Sequence, residues 1–345
     1  ASAGGVLAGL LLDLFYEVAA EDPDELPTVS SALRALVGMS LAAKLTTLRR
    51  GFVPALLGRI DDLRALACTT LPASRSSAHP ESRRPRTRST PRSGVHHPNG
   101  TTGGAAEGSA AVRAELLAPL IGALKLLSNI LAGCAEAKLA CVSLQLPMLL
   151  LRLWPLSSSN GALRTQLLTL LCNYVAHCPA AKASLTAYSD GKGRCLATII
   201  CKVVTRVPRP SQPPLPESHW RIGWAVLQSL ATTPESRAAL TRAHLLQAAI
   251  PQLLRTLGSA DESRAAPVVD FLADLAFDLD GQASLLKLPE SFDAILEALE
   301  SRSPPARLAA ALCMRNLAFS ADGQAAILNK PRALPALIRA VHPND

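Results

Sequence analysis

Four apolar residues recur along the chain at offsets 0, 3, 4 and 7. They read Val53-Leu56-Leu57-Ile60, Leu146-Leu149-Leu150-Leu153 and Leu196-Ile199-Ile200-Val203, then Ile250-Leu253-Leu254-Leu257, Phe292-Ile295-Leu296-Leu299 and Leu334-Leu337-Ile338-Val341. This spacing puts all four on one stripe of an α-helix. In four of the six copies a proline follows the first apolar residue, at Pro54, Pro147, Pro251 and Pro335. Proline suits the first turn of a helix, where its missing N–H has no partner to lose. Each of these prolines is therefore read as marking the start of its helix. Leu150 and Leu296 are expected in the core of two such helices.

Upstream of the stripes runs a second, more continuously apolar segment. It is clearest as Leu126-Leu127-Ser128-Asn129-Ile130-Leu131-Ala132, as Leu170-Leu171-Cys172-Asn173-Tyr174-Val175-Ala176 and as Met314-Arg315-Asn316-Leu317-Ala318, with weaker copies centred on Gly38, Ser229 and Asp274. From Asn129 onward these anchors lie 44, 56, 45 and 42 residues apart. Between the two apolar segments stands a short connector made of a small residue and a long polar one: Ala137-Lys138, Ala181-Lys182, Ser236-Arg237, Gly281-Gln282 and Gly323-Gln324. Asp280-Gly281 and Asp322-Gly323 are turn formers. A period in the low to mid forties with two apolar helices per unit predicts an all-α fold, an armadillo/HEAT-like right-handed helical solenoid of about six repeats.

Two stretches interrupt the period. Residues 72–109 are rich in Ser, Arg, Pro, Gly and Thr and nearly free of large apolar side chains, so they are expected to be disordered. Residues 206–218 form a proline-rich loop that accounts for the one long spacing. The organisation expected is an N-terminal armadillo-like region over 1–71, the linker 72–109, and armadillo-like repeats over 110–345.

Composition supports helices built from Leu and Ala: 49% of residues are hydrophobic but only 3% aromatic. The net charge of +8 suggests nucleic acid until it is located, for the linker alone carries +4 of it and the rest is close to balanced. No aromatics interleave with the linker arginines to stack bases, so nucleic acid is not an expected partner. The eight cysteines sit in apolar helix-like runs and read as reduced, buried small hydrophobes of a cytoplasmic protein. The apolar opening, Val6 to Ala20, is too short for a membrane span and contains Asp13; no membrane contact is expected.

Several of these segments resemble the rotatin family. They are Leu124-Lys125-Leu126-Leu127-Ser128-Asn129 through Glu136-Ala137-Lys138 to Leu146-Pro147 and Leu153-Trp154-Pro155, together with Leu171-Cys172-Asn173-Tyr174-Val175-Ala176. The final third, from Asp280-Gly281-Gln282 through Met314-Arg315-Asn316-Leu317-Ala318-Phe319 to Ala326-Ile327-Leu328-Asn329, is also similar. The likeness covers roughly 115–345 with gaps and falls on the family's C-terminal armadillo-like region; the Arg-rich linker departs from it. The resemblance implies a scaffold for centriole and basal-body assembly and cilium function, located in the cytoplasm and cytoskeleton at the centriole or ciliary basal body, with other proteins as partners.

Candidate chemistry is sparse. His177-Cys178, with Cys172, could be imagined as a Cys–His pair or as metal ligands, but no second cluster has zinc-ligand spacing; a helix-end His beside a core Cys is the plainer reading. Gly191-Lys192-Gly193 lacks phosphate-loop spacing and reads as a surface loop. The acids show no inward-facing pair set among apolar residues. The expectation is no enzyme, no cofactor, no metal and no small-molecule substrate. Asn129, Asn173 and Asn316 are the candidate partner-binding residues. In peptide-carrying armadillo proteins such as importin-α and the catenins, an Asn in this kind of position lines a concave groove and hydrogen-bonds an extended peptide. The tryptophan that completes each pocket in the nuclear-import carriers is replaced here by Lys125, Thr169 and Leu312. A catenin- or importin-like adaptor is therefore the alternative to the scaffold, and a capping or bridging role for each Asn stands beside both.

Overall fold

The computed structural model describes residues 2–21, 25–70, 103–191, 193–206, 215–243, 245–259, 262–288 and 290–341. Among them are nineteen α-helices, two short 3-10 segments and no strand; Ser189 and Cys195 form one isolated bridge. After α1 (Ala3–Glu21) and α2 (Leu26–Met39), the chain repeats a triplet of helices. The triplets are α3 (Leu41–Arg49), α4 (Phe52–Thr70) and α5 (Gly103–Leu131); α6 (Ala135–Ser143), α7 (Leu146–Leu153) and α8 (Gly161–Val175); and α9 (Pro179–Ala187), α10 (Leu196–Val204) and α11 (Glu217–Ala231). They continue with α12 (Pro234–Arg242), α13 (Leu246–Leu257) and α14 (Ala265–Leu275), then α15 (Leu279–Leu286), α16 (Ser291–Leu299) and α17 (Pro304–Leu317). A partial unit, α18 (Ala321–Asn329) and α19 (Ala333–Val341), follows.

Each helix packs on its counterpart in the next unit, giving three parallel rows. The long row is α2, α5, α8, α11, α14 and α17; the short row is α3, α6, α9, α12, α15 and α18; the stripe row is α4, α7, α10, α13, α16 and α19. The fold is an all-α solenoid. Two readings of the sequence need correction. The units are triplets rather than pairs, because each expected connector is itself a helix of eight or nine residues. Pro251 does not open its helix: α13 begins at Leu246 and runs through the proline, giving up one i→i−4 hydrogen bond. Pro147, by contrast, sits in the first turn of α7.

The linker expected over 72–109 lies outside the described residues as far as 102; its last seven residues, 103–109, are helical and open α5. Of the proline-rich loop 206–218, residues 207–214 lie outside the described residues, and α11 begins at Glu217.

The long row holds the core. In α5 the window Ala114–Leu131 is long and apolar enough to cross a membrane, yet its Leu117, Leu120, Leu124 and Leu127 are fully buried against α2, α4 and α8. The stripes pack inward as expected, with Leu150 fully buried and Leu296 at 1% exposure. The last stripe differs. Leu334 and Ile338 on α19 are 49% and 62% exposed, because no described helix lies over the face that their counterparts bury against the next unit.

Candidate functional site

The three asparagines fall at matching places near the C-terminal ends of long-row helices, and each reaches back to the preceding helix of that row. Asn129 Nδ2 donates to the Arg34 carbonyl at 3.1 Å. Asn173 Nδ2 donates to the Ser128 hydroxyl at 2.9 Å and to the Ser128 carbonyl at 3.3 Å. Asn316 Nδ2 donates to the Ala273 carbonyl at 2.9 Å, while its Oδ1 accepts from the Arg315 guanidinium at 3.1 Å. A carboxamide offers two N–H donors and one acceptor oxygen, so the bridge leaves part of each group for other contacts. Asn129 and Asn173 are half-buried; Asn316 is 5% exposed.

Beside this row runs a second one made by the long polar residues of the short helices. Lys44 donates to the Ala132 carbonyl, Lys138 to the Ala176 carbonyl and Lys182 to the Thr232 hydroxyl. Arg237 grips both carboxylate oxygens of Asp278, at 2.6 and 2.9 Å, and donates to the Ala231 carbonyl at 3.0 Å. Gln282 Nε2 donates to the Ala276 and Asn316 carbonyls at 3.0 and 2.9 Å, and Gln324 Nε2 to the Ala318 carbonyl at 3.0 Å. All but Lys182 satisfy carbonyls that helix C-termini leave without intrahelical partners, where positive charge is also favoured. Burial pushes the pKa of Lys44, Lys138 and Lys182 down. In the last two units the residue before the long polar one is glycine for a steric reason. A Cβ at Gly281 would lie 1.8 Å from the Leu275 carbonyl oxygen, and one at Gly323 would lie 1.9 Å from that of Leu317. Lys44 belongs to this row and was not among the sequence-derived connectors, although Ala43-Lys44 has the same form.

The two rows meet at a cleft of about 520 Å³ between consecutive units. Phe277 and Phe319, matching residues one repeat apart, are 65% and 75% exposed and line it together with Leu279, Arg315, Asn316 and Gln282. Arg237 stacks its guanidinium over the Phe277 ring, 5.1 Å from the centroid. Gln282 is 2% exposed, and its Oε1 is buried without a hydrogen-bond partner. An acceptor in that condition costs free energy until a donor reaches it. The cleft thus combines two solvent-facing rings with the Arg315 cation and the Asn316 carboxamide.

One acidic feature contradicts the sequence reading. Asp270 and Asp274, one turn apart on α14, are half-buried beside Phe271, Leu272 and Leu275. Burial first, and then the Asp270 charge, raises the Asp274 pKa to about 6; Arg237 and Lys182 pull it down. Asp270 is raised as well, by burial. Neither lines the cleft. His177 is an exposed helix-end residue with φ of 54°, matching Gly133 with φ of 68° one repeat earlier, and Cys178 beside it is 5% exposed. Gly193 sits in a turn that precedes α10. Among the described residues no three His, Cys, Asp or Glu side chains gather as a group able to hold a metal ion.

No family model matches the chain. Rotatin from Mus musculus is 25% identical over 185 residues, which cover 50% of this chain and 8% of rotatin, so the chain spans under a tenth of that relative's length. Two solved structures of engineered proteins share the fold. One has a TM-score of 0.56 at 16% identity, covering 89% of this chain and 95% of its own; the other has 0.59 at 16% identity, covering 98% and 68%. The chain is a helical-repeat solenoid with a distant sequence likeness to rotatin.

Proposed function

We propose that this chain is a non-enzymatic protein-interaction scaffold, rotatin-like, serving centriole and basal-body assembly and the cilium. The observation that carries the binding part is the cleft between Phe277 and Phe319. Exposed rings one repeat apart, beside Arg315 and Leu279, suit a protein segment that brings apolar side chains. The likeness to rotatin over half the chain supports the centriolar part, and with it a cytoplasmic and cytoskeletal location and centriolar or ciliary proteins as partners.

Phe277 and Phe319 tolerate removal because both rings face solvent. The Phe277→Ala/Phe319→Ala variant should keep its helicity and lose most of the neighbours recovered by proximity labelling in ciliated cells. Retention of the full neighbour set would reject the cleft as the binding place. Labelled neighbours that are cytosolic or junctional rather than centriolar would reject the cellular assignment while leaving the cleft standing.

The half-buried carboxamides of Asn129 and Asn173 favour a second reading, an adaptor of the catenin or importin kind that holds an extended peptide along the long row. Replacing Asn129, Asn173 and Asn316 together by Ala should then abolish partner capture at temperatures where circular dichroism shows the helices intact. Capture unchanged under those conditions would end this reading.

A further inference from the structure

A second cleft, of about 680 Å³, lies away from the asparagine row, between the end of α7, the turn before α10 and α10 itself. Among the described residues that line it, Arg164, Arg194, Lys202 and Arg206 are basic and Asp190 is acidic. Asp190 holds Arg194, whose Nε donates to Oδ2 at 2.8 Å, and accepts the Arg194 backbone N–H at 2.9 Å on Oδ1. The turn is closed by Asp190 N–H to the Arg194 carbonyl at 2.9 Å and Gly193 N–H to the Asp190 carbonyl at 2.8 Å. Arg194 is therefore held in place before any ligand arrives. Arg164 reaches the Ser157 and Ser158 carbonyls with Nη2, both at 2.9 Å, but its Nε is buried and has no partner. Burial, and then the neighbouring Arg206 charge, both push the Arg164 pKa down. Among the described lining residues, Arg164, Lys202 and Arg206 bring three positive charges to a cleft whose one carboxylate, Asp190, is already engaged by Arg194, an arrangement suited to an anionic ligand.

The rest of the wall decides what carries that anion. Leu151, Trp154, Ile199 and Val203 give the cleft an apolar side next to its basic one. A free phosphate would leave that side bare. A nucleic acid would want aromatic faces for its bases, and Trp154 is only 8% exposed.

We propose that this cleft binds a phosphorylated serine or threonine on a peptide segment of a partner protein, with Arg164, Lys202 and Arg206 around the phosphate and the flanking side chains on the apolar wall. Such a group brings close to two negative charges and three acceptor oxygens, which match forked guanidinium donors. The site is separate from the Phe277–Phe319 cleft and does not depend on it. It gives the chain a contact that a kinase can switch on.

The test uses the whole chain and a degenerate peptide library with phosphoserine at its fixed central position, beside the same library carrying serine and a ten-residue oligothymidylate. The expected result is about tenfold stronger retention of the phosphorylated library than of the serine library, with inorganic phosphate competing at millimolar concentration, as charge-assisted contacts of this kind predict. Lys202 is exposed, so Lys202→Glu should fold normally and reduce that preference to less than about threefold. Phe277→Ala/Phe319→Ala should leave it unchanged, which separates this site from the proposed scaffold cleft. Equal retention of the two libraries, preference for the oligothymidylate, or a phosphate preference untouched by Lys202→Glu would each overturn the proposal.

Discussion

At the scale of single residues, the sequence speaks most clearly through burial. The 0, 3, 4, 7 spacing placed Leu150 and Leu296 inward, and both are almost wholly enclosed. Leu150→Ala or Leu296→Ala should lower the unfolding free energy by about 2–5 kcal/mol, measured by urea denaturation; a loss of a few tenths would mean that the packing differs from that described. The sequence placed Asp274 at an anchor position but did not reveal its burial. Its position matches that of an asparagine in the α5, α8 and α17 copies, and the charge it carries there is disfavoured. Its folded pKa is raised above the unfolded value, so between about pH 4 and 6 the folded chain binds the extra proton, and stability falls as pH rises through that window. Asp274→Asn should accordingly stabilise by about 1 kcal/mol at pH 7.5, since solvent screens part of the effect, and the gain should vanish near pH 4. A gain of equal size at both pH values would remove ionisation as its cause.

Helices tell a different story. Amphipathic stripes were legible because periodicity survives in a list of letters, and so was the long row, whose apolar runs hold asparagine at one position in three of six copies. The short row was not. Its helices of eight or nine residues carry few large apolar side chains, as in Pro179–Ala187, and their glycines suggested turns. What the pattern did expose was the pair of a small and a long residue, whose meaning is now steric. Gly281 lies against the Leu275 carbonyl with no room for a methyl group, and Gln282 beside it closes two carbonyls. Gly281→Ala should therefore destabilise by about 1–3 kcal/mol through displaced backbone, although alanine ordinarily favours helices. An alanine variant as stable as the parent would show that the contact yields easily. The exposed phenylalanines escaped the sequence reading for a related cause: Phe319 entered it only as the end of a rotatin-like stretch, and nothing in the letters of Phe277 or Phe319 shows that both face water.

Across the molecule, each unit meets only its neighbours, so local stability should vary along the array. The units from α5 to α14 are flanked on both sides, whereas α18 and α19 are covered on one. Native-state hydrogen exchange should show the slowest amides in α8, α11 and α14 and the fastest helical ones in α18 and α19; equal protection throughout would indicate one cooperative block. The long row has a further consequence for anything laid across it. Helices packed side by side repeat every 8–10 Å or so, while an extended peptide advances about 3.3 Å per residue. A bound strand would meet Asn129, Asn173 and their counterparts at roughly every third residue. The solenoid is then a measuring stick, and a ligand's own sequence should carry a three-residue rhythm wherever it follows the row.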